Sequence, residues 1–369
     1  MNKSRVAGAV IAVVASVCLT GCGSSGGGSG DESGGGSGKG LTEITFSTAA
    51  KAPTPLFENI YIADKLGYYK EAGLKANFVN TGANAAVTSQ LSQGSAQVGV
   101  GVPNFQVVTA SKGEELPGVN YFEYTYPSKW YLVVPPNSNI TDVSSLAGKR
   151  IGITSRGTAD EQVLTSVLKD NGVDPSSVQL QVVGETTAGG LALDQGQLDA
   201  SLIWDTTRGL YDVSGIGYKV LLGPKDLPKV GGFYIQATPQ WLKAHKDEAV
   251  GFAQAIAKAS VFALANPEAA ASLYLDMYPT AASGKSKQQQ IDDIVKTVKY
   301  RAQRWVPYQD PDKMGYIQPQ EWQNEVEFAG VTDKVSDPSQ FYTNDLITQI
   351  NDFDKSAIEK QAKDYKVGG

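Results

Sequence analysis

The chain has 369 residues, 32 basic and 38 acidic side chains, and a formal net charge of −6. It contains one histidine and two cysteines, which excludes a convincing Ser-His-Asp triad or a metal site built from several His or Cys ligands. The chain is net acidic and has no block of Lys and Arg residues. This charge distribution is atypical of nucleic-acid-binding proteins. We therefore expect no metal, no cofactor and no nucleic-acid partner.

Residues 1–21 have the pattern of a bacterial lipoprotein signal. Lys3 and Arg5 form the basic N-terminal region of such a signal. The apolar run that follows, residues 6–19, is too short to span a bilayer as a helix. The segment Leu19-Thr20-Gly21-Cys22 follows, and cleavage before Cys22 would leave a cysteine that carries a lipid such as palmitate. An ordinary secretory signal with a chance cysteine is the alternative. The lipid would hold the protein at the outer face of the cytoplasmic membrane.

Residues 22–40 are almost entirely Gly and Ser, which is the composition of a flexible tether. Loss of residues 1–21 would also remove Cys18 and leave no pair of cysteines for a disulfide. About 329 residues follow the tether, which is more than one typical core contains. We therefore expect two lobes.

Apolar patterns in residues 41–134 alternate between strand and helix types. The predicted strands are Leu41–Ser47, Ala76–Val79, Val98–Val102 and Tyr121–Val134, the last with a break at Pro127-Ser128. The predicted helices are Leu56–Leu66, Ala83–Gln93 and Phe105–Lys112.

The stretch from Lys149 to Asp205 gives the clearest α/β pattern. It predicts strands at Ile151–Thr154, Val178–Val183 and Asp199–Trp204, with a helix that begins at Thr158 and another at Ala188–Gly196. Strand, helix and strand in alternation indicate a parallel sheet. Ligands of such sheets bind at the carboxyl ends of the strands, so the loops after these strands are candidate binding segments.

The last third of the chain is predicted to be mainly helical. Two short strands come first, at Gly217–Leu222 and Phe233–Ala237. Helical patterns then cover Trp241–Ala265, Pro267–Tyr278, Ser286–Trp305, Gln320–Phe328 and Tyr342–Ala362.

The loop between the first strand and helix of the Lys149–Asp205 stretch offers candidate ligand contacts. Ser155, Gly157 and Thr158 supply hydroxyls and amides near the start of a helix, where a small anion can bind. Thr158 with Glu161 also fits a capping box, which is a purely structural role.

Other candidates follow strands elsewhere. Asn104 could hydrogen-bond a ligand or simply cap a helix, and Trp204 could stack on an organic ligand or belong to the core. Asp205 beside it would suit an amino or hydroxyl group. In the aromatic stretch, Tyr126 and Trp130 flank the break and are predicted to face a cleft. Lys129 could pair with an anion, although a position at the surface is favoured.

Four segments in order resemble the nitrate/sulfonate/taurine solute-binding proteins of ABC transporters, a group akin to pyrimidine-precursor binders. Tyr61–Leu74 resembles the family segment IAxxxGYFxxxGL, and Gln93–Val100 resembles GxxDxGV with Gln97 in place of the common Asp. Leu146–Ile153 resembles LkGKkIGV, and Gly196–Asp205 resembles GxvDAxxxWxP. The resemblance covers roughly residues 41–270.

This resemblance implies an α/β fold of two lobes, a periplasmic-binding-protein fold of type II-like topology with crossover strands and a helical C-terminal part. We expect lobe one at 41–134 and 235–369 and lobe two at 138–232, with crossovers near Trp130–Asn137 and Gly232–Thr238. The family implies a monomer that binds a ligand without transforming it. It would deliver the ligand to permease subunits and their ATPase.

The ligand is expected to be a small organic anion, either a sulfonate such as taurine or an aromatic carboxylate. The aromatic content disfavours nitrate or bicarbonate, and a pyrimidine-type precursor is the alternative. The competing classes are an exported enzyme, with Glu185 and Asp205 as an acid–base pair, and a lipoprotein that serves only as a scaffold.

Replacement of Cys22 by Ser tests the lipid anchor. Cells that express the chain and grow with radioactive palmitate should label the wild-type protein, and Cys22→Ser should carry no label, because the acceptor thiol is lost. Cys18→Ser is the matched control and should keep the label. Label on the Cys22→Ser protein would contradict the anchor.

Overall fold

The structure is a computed structural model that describes residues 40–157, 159–279 and 284–367. The predicted signal, Cys22 and the tether up to residue 39 lie outside the described residues, as does Thr158 with its predicted capping box. The residues from Gly40 onward form one compact unit.

The first α/β elements follow the predicted order closely. They are β1 (Thr42–Thr48), α1 (Glu58–Lys65), α2 (Tyr68–Glu71), β2 (Leu74–Asn80), α3 (Asn84–Ser92), β3 (Val98–Gly101), α4 (Pro103–Ser111) and β4 (Val119–Thr125). Pro55–Phe57 forms a 3-10 turn before α1, and the hydroxyl of Thr54 accepts a hydrogen bond from the Leu56 amide at its start.

The second set begins after the break at Pro127-Ser128. It comprises β5 (Trp130–Val134), β6 (Arg150–Ile153), α5 (Ala159–Asp170), β7 (Gln179–Val182), α6 (Ala188–Asp194), β8 (Ala200–Trp204), α7 (Asp205–Val213), β9 (Lys219–Leu222) and β10 (Phe233–Ala237). Helices then fill the remainder: α8 (Pro239–Ala244), α9 (Lys246–Ala265), α10 (Pro267–Met277), α11 (Lys287–Ala302), α12 (Pro319–Phe328), α13 (Ile347–Ile350) and α14 (Lys355–Asp364).

The strands form two five-stranded sheets. Sheet A has the order β2-β1-β3-β10-β4, and sheet B has the order β7-β6-β8-β5-β9. The strands β10 in sheet A and β5 in sheet B are antiparallel to their neighbours. The chain therefore passes between the sheets twice, at residues 126–129 and 223–232. This confirms the predicted two-lobe α/β fold with crossovers.

The predicted lobe boundaries need a correction at β5. We placed Trp130–Val134 at the end of lobe one, but this strand pairs with β8 and β9 in sheet B. The first crossing is thus complete before Trp130, and the second is complete before Phe233. A run of apolar residues predicts a buried strand, but it does not say which sheet the strand joins.

The predicted helix at Tyr342–Ala362 is wrong as a single element. The structure has a 3-10 turn at Pro338–Phe341 and then the separate helices α13 and α14. The side chain of Asn351 bonds to the backbone of Met314, and the Asp354 side chain accepts from the Ala357 amide at the start of α14. These side-chain bonds end one helix and begin the next, which a hydrophobic pattern does not reveal.

Helix α9 is the main helix of the sheet A core. By length and composition it could cross a membrane, but 67% of its apolar window is buried inside the protein. Its residues Phe252 and Ile256 lie in the same hydrophobic cluster as Phe46 of β1. We therefore assign it to the core.

Helices α7 and α11 pack closely against each other and connect lobe two to the C-terminal helices. A Cβ atom at Gly209 of α7 would lie 2.3 Å from the Thr297 carbonyl oxygen of α11. Beside this contact, Arg301 binds both carboxylate oxygens of Asp205, with Nε to Oδ2 at 2.8 Å and Nη2 to Oδ1 at 2.6 Å. Both side chains are 0% exposed. Ile291 of α11 packs in the sheet A core, so this helix joins the two lobes.

Replacement of Gly209 by Val should separate α7 from α11. The new side chain meets backbone atoms that cannot rotate away, so we expect a loss of about 1–3 kcal/mol in the free energy of unfolding, measured with urea. The control is Gly223→Val, because a Cβ there has its nearest neighbours at 4.0 Å. Equal losses in the two variants would contradict the close helix contact.

Replacement of Arg301 by Met should cost about 3–5 kcal/mol in the free energy of unfolding, because it leaves the Asp205 carboxylate buried without its partner. Adding Asp205→Leu to that variant should recover part of the loss. Lys313→Met is the control, since its partner Asp310 lies at the surface and such pairs contribute about 0–1 kcal/mol. Additive losses from Arg301→Met and Asp205→Leu would contradict the coupling.

Candidate functional site

The two chain crossings bring a lysine and several aromatic rings together at the junction of the sheets. Lys129 ends the first crossing, and Phe233 follows the second. The Lys129 ammonium lies 3.9 Å from the ring centroid of Phe233 and 4.9 Å from the ring centroids of Trp130 and Trp204. The two tryptophans are neighbours because they pair in register across β5 and β8.

Lys129 is buried, with only 4% of its surface exposed. The prediction that it lies at the surface is therefore wrong. Within the described residues its ammonium contacts aromatic rings but no hydrogen-bond acceptor. Burial lowers the pKa of Lys129 to about 8, helped by the positive charge of Arg301 and opposed by Asp160 among other acids. At neutral pH the side chain is still mainly charged.

Asp160, on the first turn of α5, holds the two tryptophans. Its Oδ1 accepts hydrogen bonds from the indole nitrogens of Trp130 at 2.7 Å and Trp204 at 2.8 Å. Its Oδ2 is buried and has no partner among the described residues. One oxygen of this carboxylate thus orients the rings, and the other is available to a ligand.

The guanidinium of Arg301 also reaches the junction. Two of its nitrogens bind Asp205, while Nη1 is buried without a partner in the described part of the chain. Its central carbon lies 5.4 Å from the ring centroid of Phe233. Arg301 therefore offers a second donor close to Lys129.

Further polar groups without partners lie at the end of β4 and in the first crossing. Tyr124 stacks on Phe233 with ring centroids 6.1 Å apart. The hydroxyls of Tyr124, Thr125 and Ser128 are buried, and none has a hydrogen-bond partner among the described residues. Buried polar groups are usually paired, so such a group of unpaired ones indicates a ligand site.

Helix α12 contributes two buried acids, and one of them, Glu325, holds the second crossing. Glu325 accepts a hydrogen bond from the Gly231 amide at 3.1 Å, and burial raises its pKa to about 7. Glu321 accepts from the Tyr308 hydroxyl at 2.7 Å, and burial raises its pKa to about 7. Burial and the neighbouring Glu321 raise the pKa of Glu123 well above its usual range. Burial therefore favours the neutral form of each of these three acids.

A hydrogen bond between helices α4 and α5 also joins the lobes at this junction. Asn104, at the start of α4 after β3, donates to the Gln162 side chain of α5 at 2.8 Å. Both side chains are half-buried. Asn104 thus lies between the lobes, and its amide nitrogen is already engaged with Gln162.

Two other predicted site residues, Asp205 and Tyr126, are already engaged by hydrogen bonds within the protein. Asp205 is engaged by Arg301 through both oxygens, so it is not a free base for the acid–base pair with Glu185 that the enzyme hypothesis requires. Tyr126 is buried, accepts from the Gly315 amide and donates to the Tyr316 carbonyl, which fastens a C-terminal segment to β4.

The predicted anion loop after β6 lies partly at the surface. Gly157 is exposed, and its amide donates to Glu161 at 2.8 Å, while Ser155 is half-buried. Arg156 is exposed and forms an ion pair with Glu161. These contacts leave the Gly157 amide engaged within the loop.

Sequence reasoning named Trp130 and Trp204 as candidates and Lys129 as a possible anion partner, but it favoured the surface for Lys129. It missed the other groups of the junction. Phe233, Arg301 and Asp160 carry no motif, and they converge only through the tertiary fold. Among the described residues no group of three or more His, Cys, Asp or Glu side chains could hold a metal ion.

Comparisons with known proteins agree with this architecture. YtlA, a candidate binding protein of Bacillus subtilis (strain 168), is 26% identical over 204 residues, which are 54% of this chain and 60% of YtlA. The chain thus spans three fifths of that relative. A 4-amino-5-hydroxymethyl-2-methylpyrimidine phosphate synthase of Aspergillus parasiticus is 27% identical over 247 residues, which are 64% of this chain and 71% of the synthase.

The structure is also similar to the periplasmic aliphatic sulphonate binding protein SsuA from Escherichia coli. The TM-score is 0.60 at 17% identity, and the match covers 83% of this chain and 91% of SsuA. At that identity the likeness shows the shared fold. The profile of the family described as NMT1/THI5 like matches residues 54–270, which is more than half of the chain. The chain therefore belongs to the NMT1/THI5-like family.

Proposed function

We propose that the protein is the substrate-binding component of an ABC importer. It holds a small organic anion between its lobes and delivers it to membrane permease subunits with their ATPase. The observation that carries the proposal is the ammonium of Lys129, which is 4% exposed and has no hydrogen-bond acceptor among the described residues. A buried cation without acceptors is costly, so an anionic ligand would stabilise it.

The ligand chemistry follows from the groups around Lys129. The unpaired Nη1 of Arg301 supplies a second charged donor, and the hydroxyl of Ser128 supplies a neutral one. The faces of Trp204 and Phe233 offer apolar contact to an organic body. A sulfonate or an aromatic carboxylate fits this combination, and the name of SsuA, an aliphatic sulphonate binding protein, is consistent with it.

Lobe closure couples binding to delivery. The ligand stabilises the closed arrangement in which Asn104 reaches Gln162, and the equilibrium between open and closed forms shifts accordingly. The lipid on Cys22 would keep the protein, as a monomer, at the outer face of the cytoplasmic membrane.

A pyrimidine-type precursor is the second candidate ligand. The unpaired Oδ2 of Asp160 could accept from a ring amino group, and the related synthase from Aspergillus parasiticus is named for a pyrimidine product. We propose binding rather than catalysis for this chain, because Asp205 is held by Arg301 and the chain has no cysteine-rich motif.

A thermal-shift panel on the full-length chain tests the function. The panel contains taurine, longer alkanesulfonates, benzoate- and phthalate-like acids, a hydroxymethylpyrimidine, nitrate and bicarbonate. A ligand at about a thousand times its Kd adds about 4 kcal/mol. For a unit of about 330 residues, with an unfolding entropy of about 2.1 cal/mol/K per residue, this is a rise in Tm of roughly 6 °C. We expect such a rise with an organic anion.

Lys129→Met should abolish that rise because it removes the buried cation. Lys258→Met is the matched control, since Lys258 also lies over an aromatic ring, that of Tyr68, but on α9 away from the junction. A full rise in the Lys129→Met protein, or a rise only with the pyrimidine, would contradict an anion site at Lys129.

A further inference from the structure

We infer that anion binding at Lys129 is coupled to the uptake of a proton by Glu325, the residue of α12 that positions the second crossing. The proton comes from the solvent and binds a carboxylate oxygen of Glu325, so one negative charge leaves the junction as the ligand brings another. The inference rests on the proposed function and adds to it a dependence of ligand affinity on pH.

Glu325 is connected to the Lys129 site through the second crossing. Its Oε2 accepts a hydrogen bond from the Gly231 amide at 3.1 Å. Gly231 lies against the indole of Trp130, because a Cβ at this glycine would be 2.2 Å from that ring. The Lys129 ammonium lies 4.9 Å from the ring centroid of the same indole. One glycine and one indole ring therefore link Glu325 to the ammonium that would bind the ligand.

The protonation of Glu325 responds to the charge at Lys129. Glu325 is 2% exposed, so little water screens its carboxyl from the ammonium. Burial raises the pKa of Glu325 to about 7, and the Gly231 amide and the Lys129 ammonium oppose this rise. The carboxyl therefore gains or loses its proton near neutral pH. An anion that neutralises Lys129 removes one of the influences that favour the charged form, so the pKa of Glu325 rises further when the ligand binds.

The balance of charge makes this proton useful to binding. The junction holds two buried basic and two buried acidic side chains, which are Lys129, Arg301, Asp160 and Asp205. The ligand would add a further negative charge where an uncompensated charge is costly to bury. Neutralisation of a neighbouring acid offsets the added charge. The acids whose pKa depends on Lys129 and is raised by the protein are Glu185 and Glu325.

Glu185, in the loop after β7, is the first rival for the proton. Partial loss of hydration and the charge of Asp160 raise its pKa, whereas Lys129 and Arg301 lower it. The residue is nevertheless exposed, so water screens its charge in both the free and the liganded protein. Glu185 therefore responds less to the ligand than the buried Glu325 does.

The remaining acids beside α12 form a separate pair, Glu123 of β4 and Glu321 of α12. Burial and Glu321 raise the pKa of Glu123 well above its usual range. Burial raises the pKa of Glu321 to about 7, and Lys129 is not among the groups that oppose this rise. The other titratable groups on this side of the crossing are Tyr234, Tyr308, Lys229 and Arg304. The pair thus interacts mainly with groups other than the ligand-binding ammonium.

Titration calorimetry on the full-length chain measures the proton uptake. The probes are taurine, ethanesulfonate and benzoate, none of which changes charge between about pH 6 and about pH 7.5. Binding heats are compared in buffers of different ionisation enthalpy, because each proton taken up adds the heat of deprotonating the buffer. If the ligand strengthens proton binding by Glu325 about tenfold, the wild type takes up about half a proton at about pH 7. Its affinity then falls about fourfold from about pH 6 to about pH 7.5.

The variant Glu325→Gln keeps an oxygen that accepts the Gly231 amide but cannot take up a proton. Its uptake should fall below about 0.2 proton, and its affinity should change less than about twofold over the same pH range. The remainder comes from Lys129, whose pKa is lowered by burial to about 8. Glu327→Gln, at an exposed position of the same helix, is the matched control and should behave as the wild type.

The outcomes separate this inference from the proposed function. Uptake that persists in Glu325→Gln and disappears in Glu185→Gln or Glu321→Gln would overturn the inference and leave anion binding intact. Wild-type binding with less than about 0.1 proton taken up would do the same. Failure of all three probes to bind at about pH 6 would overturn both. If Glu325→Gln does not fold, retention of the uptake in both other variants supports Glu325, and its loss in either one contradicts it.

Discussion

The ion pair between Asp205 and Arg301 is the constraint on which the junction depends. It joins the first residue of α7, directly after sheet B, to a helix that packs in the sheet A core. The close approach at Gly209 allows the two helices to meet at this point. Because Asp205 neutralises Arg301, the guanidinium can be buried beside Phe233 with Nη1 left for a ligand. A second buried cation at Lys129 would be much harder to hold without this neutralisation.

Both crossings are fastened by neighbouring elements, so the junction has a defined shape. The Asp205 amide donates to the Lys129 carbonyl at the end of the first crossing. At the second, Glu325 binds the Gly231 amide, and a Cβ at Gly231 would lie 2.2 Å from the Trp130 ring. The positive φ of 79° at this residue also favours glycine. These contacts fix the rings before a ligand arrives, which reduces the entropy lost on binding.

The junction is also where local rules for a stable core are broken. Unpaired hydroxyls, a free carboxylate oxygen and a buried ammonium each cost stability, and natural proteins retain such groups mainly at functional sites. The core of lobe one contains ordinary packing, as in the stacking of Tyr69 on Phe252 with ring centroids 5.0 Å apart, but Glu58 Oε1 and the Tyr121 hydroxyl are also buried without a partner among the described residues. The proposal that the ligand binds at Lys129 rather than at the exposed loop of Gly157 therefore rests on the buried ammonium and its aromatic rings together with the unpaired groups beside them.

The sequence by itself determined the α/β class, the position of nearly every strand and the family, because periodicity and short ordered segments are local properties. It also placed Trp130 and Trp204 among the candidates. Only the tertiary structure decided that β5 joins sheet B, that Lys129 is buried and that Asp205 is bound by a residue 96 positions away. Burial, pairing and the resulting pKa of a side chain depend on neighbours that are distant in the chain, so no local pattern can specify them.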